Sequence, residues 1–299
     1  MKKITLDQDN FKHFFSPVGP LHCHHNEHLW PYDYVDRDSD TLLVTIGDSW
    51  TWGSGIGGPF DAVNITEEDD KFRVSKLYGN IISKEKNWNW LNLGFYAMGN
   101  QWMVDKVLEL RALLPLLEFK EIIIIINFTS TGRWFHTFHD SLTDYKTFFQ
   151  TNKMTAVDDY ENFLFDLNRK MLRDINVLIN SEKRVKLLVG TNAVDHCGFD
   201  IIEEKNIIPL PWYRLLSKTD LDGTFVDMDS IKSLANMENL LHNSDQKIAF
   251  QKWMIGKIKQ AEQQKMMLNT MDNVAQDKVH PDHNGHKLWA EYILKNIIK

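Results

Sequence analysis

The sequence predicts an α/β protein built on a doubly wound, parallel sheet. Four apolar runs recur between helix-patterned segments, and one of them, Glu121-Ile-Ile-Ile-Ile-Ile126, is apolar without a break. A strand covered on both faces reads this way, whereas a strand with one wet face alternates. Strands alternating with helices imply parallel pairing through crossover helices. At 299 residues and 43% hydrophobic composition, the chain can bury one large core and still carry insertions.

Taken in order, residues 1–40 are rich in His, Pro and Asp, show no period, and read as an N-terminal extension to a domain spanning 41–299. The first strand is expected at 41–47, followed by the Gly-rich stretch Gly53-Ser-Gly-Ile-Gly-Gly-Pro59 and a helix near 72–85. A second strand at 88–93, a helix at 100–114 and the isoleucine strand at 121–127 come next. Asp158 to Asn180 is a helix with Phe163, Phe165, Leu167, Met171, Ile175 and Leu178 on its apolar face. Arg184 to Gly190 supplies the fourth strand. Residues 192–245, with Pro209, Pro211 and Trp212, suit a cap over a site, since loops of such length in compact domains are often functional. Helices near 244–268 and 283–298 close the chain.

The chemistry concentrates at two points. Thr41-Leu-Leu-Val-Thr-Ile-Gly-Asp-Ser49 runs an apolar strand into a tight turn that lifts a hydroxyl clear of the sheet. Far downstream, Asp277-Lys-Val-His280-Pro281 places a carboxylate and an imidazole on one short segment. A serine hydroxyl attacks a carbonyl only when a base takes its proton, and histidine, with an ordinary pKa of about 6.5, suits that role. A carboxylate on the other ring nitrogen fixes the tautomer and stabilises the imidazolium. Ser49 is therefore the expected nucleophile, His280 the general base and acid, and Asp277 the orienting carboxylate.

With these blocks in this order, the chain resembles the SGNH (GDSL-type) hydrolases from about Thr41 to His280. The resemblance implies a flavodoxin-like three-layer α/β/α sandwich and ester hydrolysis through an acyl-enzyme. It also implies an oxyanion hole made by the Ser49 N–H, a backbone N–H of the second block, and a side chain of the third. The second block here is Asn92-Leu-Gly-Phe-Tyr-Ala97-Met-Gly-Asn100, with Ala97 where the family places glycine; Gly94 or Gly99 serves instead if the register differs. In the third block, Asn127-Phe-Thr129-Ser130 replaces Gly-x-Asn-Asp, so that Thr129 or Asn127 is the candidate donor. Phe128-Thr-Ser-Thr-Gly-Arg133-Trp134 resembles the version of this block in phage-encoded and related members, which would allow a virion-associated or released protein. Arg133, Trp50, Trp52 and Asn100 are candidate substrate contacts, the aromatic rings suiting sugars and the guanidinium an anion. The expected substrate is a small-molecule or glycan ester, most plainly an O-acetylated carbohydrate. A non-catalytic glycan-binding protein on the same scaffold, or an acyltransferase with the same triad, are the alternatives.

Charge and motif content narrow the remaining classes. The 34 basic and 41 acidic residues leave a net charge of −7, which speaks against a nucleic-acid partner. The Gly53–Pro59 stretch lacks the Lys-Ser/Thr ending of a phosphate-binding loop, and no cofactor is expected. His22-Cys23-His24-His25-x-x-His28 has imidazoles but no partner motif, so no metal is expected. Cys23 and Cys197 are too few for a disulfide framework. The first residues lack an apolar stretch, and no segment reaches membrane-spanning length, which predicts a cytoplasmic protein without membrane insertion. No feature specifies an oligomer.

Overall fold

The computed structural model describes residues 33–56, 65–96, 99–129, 166, 169–177, 181–192, 199–216, 248, 251, 255, 273–275 and 280–298. Five strands form one sheet: β1 (Asp33–Val35), β2 (Thr41–Gly47), β3 (Asn89–Asn92), β4 (Glu121–Phe128) and β5 (Val185–Thr191), in the order β1-β3-β2-β4-β5. β2 pairs in parallel with β3 and β4, and β4 in parallel with β5. β1 adds an antiparallel edge, Asp33 opposite Asn92. It falls in the segment expected to be an extension; three residues are too few to show a period.

The chain starts the parallel part at β2, moves outward to β3, then crosses back over β2 to lay down β4 and β5. That reversal makes the crevice between the C-terminal ends of β2 and β4 a topological switch point, where ligands of doubly wound sheets bind. Gly47 pairs with Asn127 at this edge. Ser49 follows one end and Thr129 the other.

Helices pack on both faces of the sheet. Leu42, Val44, Ile46 and Ile122, Ile124, Ile126 point to one face, covered by α4 (Asn100–Leu113) and the helical residues 169–177. Leu43, Ile123, Ile125 and Leu188 point to the other, covered by α3 (Tyr78–Lys86), α5 (Trp212–Leu216) and α6 (His283–Asn296). This alternation is why β4 needs apolar residues at every position.

The helix expected at 72–85 is two helices, α2 (Glu67–Lys76) and α3, broken at Leu77, which takes an extended conformation. Leu77 is fully buried against Gly53, and the break sends α2 toward β1 and α3 across the sheet. Thr66 caps α2 by accepting from the Asp69 N–H at 3.1 Å. The N–H of Tyr78, unpaired by its own helix, donates to His286 Nδ1 at 3.3 Å.

The described part of the segment expected to cap the site, 199–216, packs into the core: Ile208 bonds back to Val189, and Trp212 is fully buried. Residues 217–245 lie outside the described residues, as do 1–32 with their histidine cluster. Among the described residues, no helix is long and apolar enough to cross a membrane.

Candidate active site

The serine turn is shaped by three glycines and an aspartate. β2 ends at Gly47; Asp48 leaves the strand in an extended conformation and caps the four-residue helix α1 (Ser49–Trp52), its Oδ1 accepting from the Trp50 N–H at 3.0 Å. Gly53 ends the helix at φ +89, in the left-handed region that glycine occupies without strain. Gly47 and Gly94 make room for Thr51: a Cβ at Gly47 would lie 2.1 Å from its hydroxyl, and one at Gly94 2.6 Å from its methyl. The turn is thereby pressed onto the ends of β2 and β3.

The Asp48 carboxylate also accepts from Asn192 Nδ2 at 2.6 Å. Asn192 follows β5, donates its N–H to Phe128 O at 2.9 Å, and accepts from the Tyr213 N–H at 2.9 Å. This residue ties the serine turn to the ends of β4 and β5 and to α5. Sequence reasoning passed it over, although a polar residue directly after a parallel strand stands at the crevice edge and could have been weighed on that ground.

His280 approaches from the far end of the chain. Residues 273–275 and 280–282 form a short antiparallel bridge, Ala275 N donating to His280 O at 2.8 Å and Asp282 N to Asn273 O at 3.0 Å. Asp282 then caps α6, its Oδ1 accepting from the Gly285 N–H at 2.9 Å. The bridge sets His280 Nε2 2.8 Å from Ser49 Oγ. Residues 231 positions apart thus meet at the switch point. The chain also resembles solved G-D-S-L lipolytic proteins and carbohydrate esterases. One is a member of the lipolytic protein G-D-S-L family from Veillonella parvula, 12% identical over 87% of this chain and 99% of that one, with a TM-score of 0.35. Another is a carbohydrate esterase family 2 enzyme with a carbohydrate-binding domain from Corynascus, 14% identical over 88% of this chain and 67% of that one, TM-score 0.39. A third is an acetylxylan esterase from Geobacillus stearothermophilus, 15% identical over 87% and 94%, TM-score 0.32. No protein-family model and no curated protein matches the sequence.

For Nε2 to take the serine proton it must be bare, which leaves the ring N–H on Nδ1 and calls for an acceptor there. Asp277, the expected acceptor, lies outside the described residues, as do Ala97 and Arg133. Thr129 stands directly beyond β4, its N–H donating to Asn100 Oδ1 at 3.0 Å, and Asn100 Nδ2 returns a bond to Thr129 O at 3.4 Å.

Four of the expected site residues are buried and have contacts within the fold. Asn127 is fully buried and donates to the Tyr78 phenol at 2.9 Å, on the face covered by α3. Asn100, also fully buried, grips the Thr129 backbone. Trp50 is 4% exposed and meets Trp212 edge-on at 5.6 Å. Trp52, 3% exposed, packs on Phe95 and Tyr96. The two rings belong to the core on opposite faces of the sheet, Trp52 with Leu42 and Ile46, Trp50 with Leu43 and Ile125. Both rings are thus packed into the core.

Beneath the serine turn, His286 is enclosed by Tyr78, stacked at 6.1 Å, and Trp212, edge-on at 4.9 Å. Burial pushes its pKa down to about 3, with Arg73, His280 and His283 adding to the shift, so it stays neutral while accepting the Tyr78 N–H.

Proposed function

We propose that this protein is a serine esterase of the SGNH type that removes short acyl groups, with O-acetylated carbohydrates as its substrates. The observation that carries the reading is the 2.8 Å approach of His280 Nε2 to Ser49 Oγ at the switch point of a parallel sheet. His280 takes the hydroxyl proton as Ser49 attacks the ester carbonyl, and the tetrahedral oxyanion forms against the Ser49 N–H and the Thr129 hydroxyl. His280 returns the proton to the departing alcohol; water then attacks the acyl-enzyme and gives a proton to His280, which passes it to the Ser49 oxygen as the acid is released. Asp277 holds the imidazolium.

Ser49 is only 6% exposed, which favours a small acyl group over a long chain. Arg133, the sequence's candidate for an anionic part of the substrate, lies outside the described residues.

Intact-mass labelling with a fluorophosphonate, followed by peptide mapping, tests the chemistry. A stoichiometric adduct on Ser49 is expected, absent in Ser49→Ala and slowed in His280→Ala by about 10⁴ or more. Folded wild type that takes no label overturns the esterase reading. Release of acetate from O-acetylated xylan oligomers then tests the substrate. Turnover of long-chain esters in preference to acetyl esters would refute it, and transfer to added sugar acceptors would make the protein an acyltransferase.

A further inference from the structure

Arg73, on α2, is 1% exposed. A guanidinium taken this far from water is costly unless its donors are matched. Its Nη2 lies 2.9 Å from Asp33 Oδ1 and its Nε donates to Asp70 Oδ1 at 2.8 Å. Burial alone would lower its pKa, but Asp33 and Asp70 more than reverse this, and the group stays charged. An ion pair with two carboxylates is a sufficient structural account of those donors. Nη1 also reaches Asp33, at 3.4 Å from Oδ2, but it donates as well to the carbonyl of Trp52, and the guanidinium carbon stands 4.4 Å from the centroid of the Trp52 ring; neither contact is part of the ion pair.

Trp52 is the last residue of α1, the one-turn helix that begins with Ser49. Carbonyls at the end of a helix have no partner within it. In α1 the Ser49 carbonyl is met by the N–H groups of Gly53 and Ser54, each at 2.9 Å, and the Trp52 carbonyl by Arg73. Asp33 reaches the turn by a second route. Its Oδ2 accepts from Asn92 Nδ2 at 3.0 Å, Asn92 Oδ1 accepts from the Gly94 N–H at 3.2 Å, and Gly94 is the residue against which Thr51 of α1 rests.

We propose that Arg73, set between Asp33 and Asp70, is a positioning residue for the nucleophile: by holding the Trp52 carbonyl it fixes the pitch of α1 and so the Ser49 hydroxyl against His280. The edge strand β1, through Asp33, is then part of the active-site support. The effect on catalysis rests on the esterase reading; the effect on the turn does not.

The test compares Arg73→Lys and Arg73→Met with Leu110→Ala, a core truncation on the far part of α4, at a temperature where circular dichroism shows all of them folded. Two quantities are read: the rate constant for fluorophosphonate labelling of Ser49, and amide hydrogen exchange at Gly53 and Ser54 relative to the core amides of β4. Lysine keeps the charge but cannot span the carboxylates and the carbonyl together. Arg73→Lys is expected to slow labelling about tenfold to a hundredfold and to speed exchange at Gly53 and Ser54 by a similar factor, as loss of a charged hydrogen bond implies. Leu110→Ala should change neither ratio. If Arg73→Lys tracks Leu110→Ala in both readouts, Arg73 is a structural ion pair and the proposal fails. If wild type takes no label, the esterase reading fails, and the exchange ratios alone decide whether Arg73 holds the turn. Should Arg73→Met not fold, the lysine variant carries the comparison.

Discussion

Ser49 sits in a turn gripped by the sheet ends, α2 and the residue after β5, whereas His280 stands on a short bridge just ahead of α6. The serine side is over-determined. Gly47 and Gly94 close on Thr51, Asp48 is bonded to Asn192, and Trp50 is locked against Trp212. The histidine side depends on Asp282 capping α6 and on a neutral His286 below it. A site so divided should fail in two ways: changes in the serine turn should cost stability and reactivity together, and changes under α6 should act through pH.

The largest effect is expected at Gly94. A Cβ there would meet the Thr51 methyl at 2.6 Å and its backbone carbonyl carbon at 2.9 Å, and neither belongs to the far end of a flexible side chain. Gly94→Ala should therefore destabilise by about 1–3 kcal/mol, as overpacking does, and slow Ser49 labelling because α1 must move. Adding Thr51→Ser removes the methyl but not the backbone contact, so rescue should be partial. Urea unfolding together with labelling rates checks both, and full rescue would show that the methyl alone sets the spacing.

His286 sharpens the other half. Its folded pKa, about 3, lies below the ordinary 6.5, so the unfolded chain takes up a proton in this window that the folded chain refuses. The stability linked to this group is complete above about pH 6.5 and falls by up to about 1.4 kcal/mol per pH unit as the medium is acidified toward pH 3. Asn at 286 can keep an acceptor near the Tyr78 N–H but cannot titrate. Urea unfolding of His286→Asn at pH 7, 5.5 and 4.5 should show a shallower acid slope than wild type by one proton. Equal slopes would mean that another group governs acid sensitivity.

The parallel strands and the Ser49–His280 pair were legible in the sequence because each leaves a local signature: an unbroken apolar run, a small-residue turn after a strand, a carboxylate and imidazole three apart. The break at Leu77 was not, since periodicity carries through it and only the packing of Leu77 on Gly53 requires it. β1 and Asn192 were missed for the same reason: their roles exist through Asp33–Arg73 and Asn192–Asp48, pairs 40 and 144 residues apart. The tryptophans left two readings open, substrate contact and core packing, because residue type reports that a ring is buried or stacked, not on which side of the sheet. Asn127 shows the same limit at the scale of one strand, where its partner, Tyr78, comes from a helix with no sequence link to it.

The smallest effect separates those two readings of Trp50. Were its ring a wall of the substrate site, replacing it would raise KM for a small ester and leave stability alone. Its edge-on contact with Trp212, which in turn stacks on Trp289 at 5.4 Å, predicts the reverse. Such a pair contributes about 0.5–1.5 kcal/mol beyond the area it buries, so Trp50→Phe should lower stability by about 1 kcal/mol while KM for 4-nitrophenyl acetate stays the same. The ring is part of what fixes the serine turn, and kcat should fall slightly with the loosened packing. A raised KM with unchanged unfolding would return Trp50 to the substrate and move the grip on Ser49 to Arg73 and Asn192 alone.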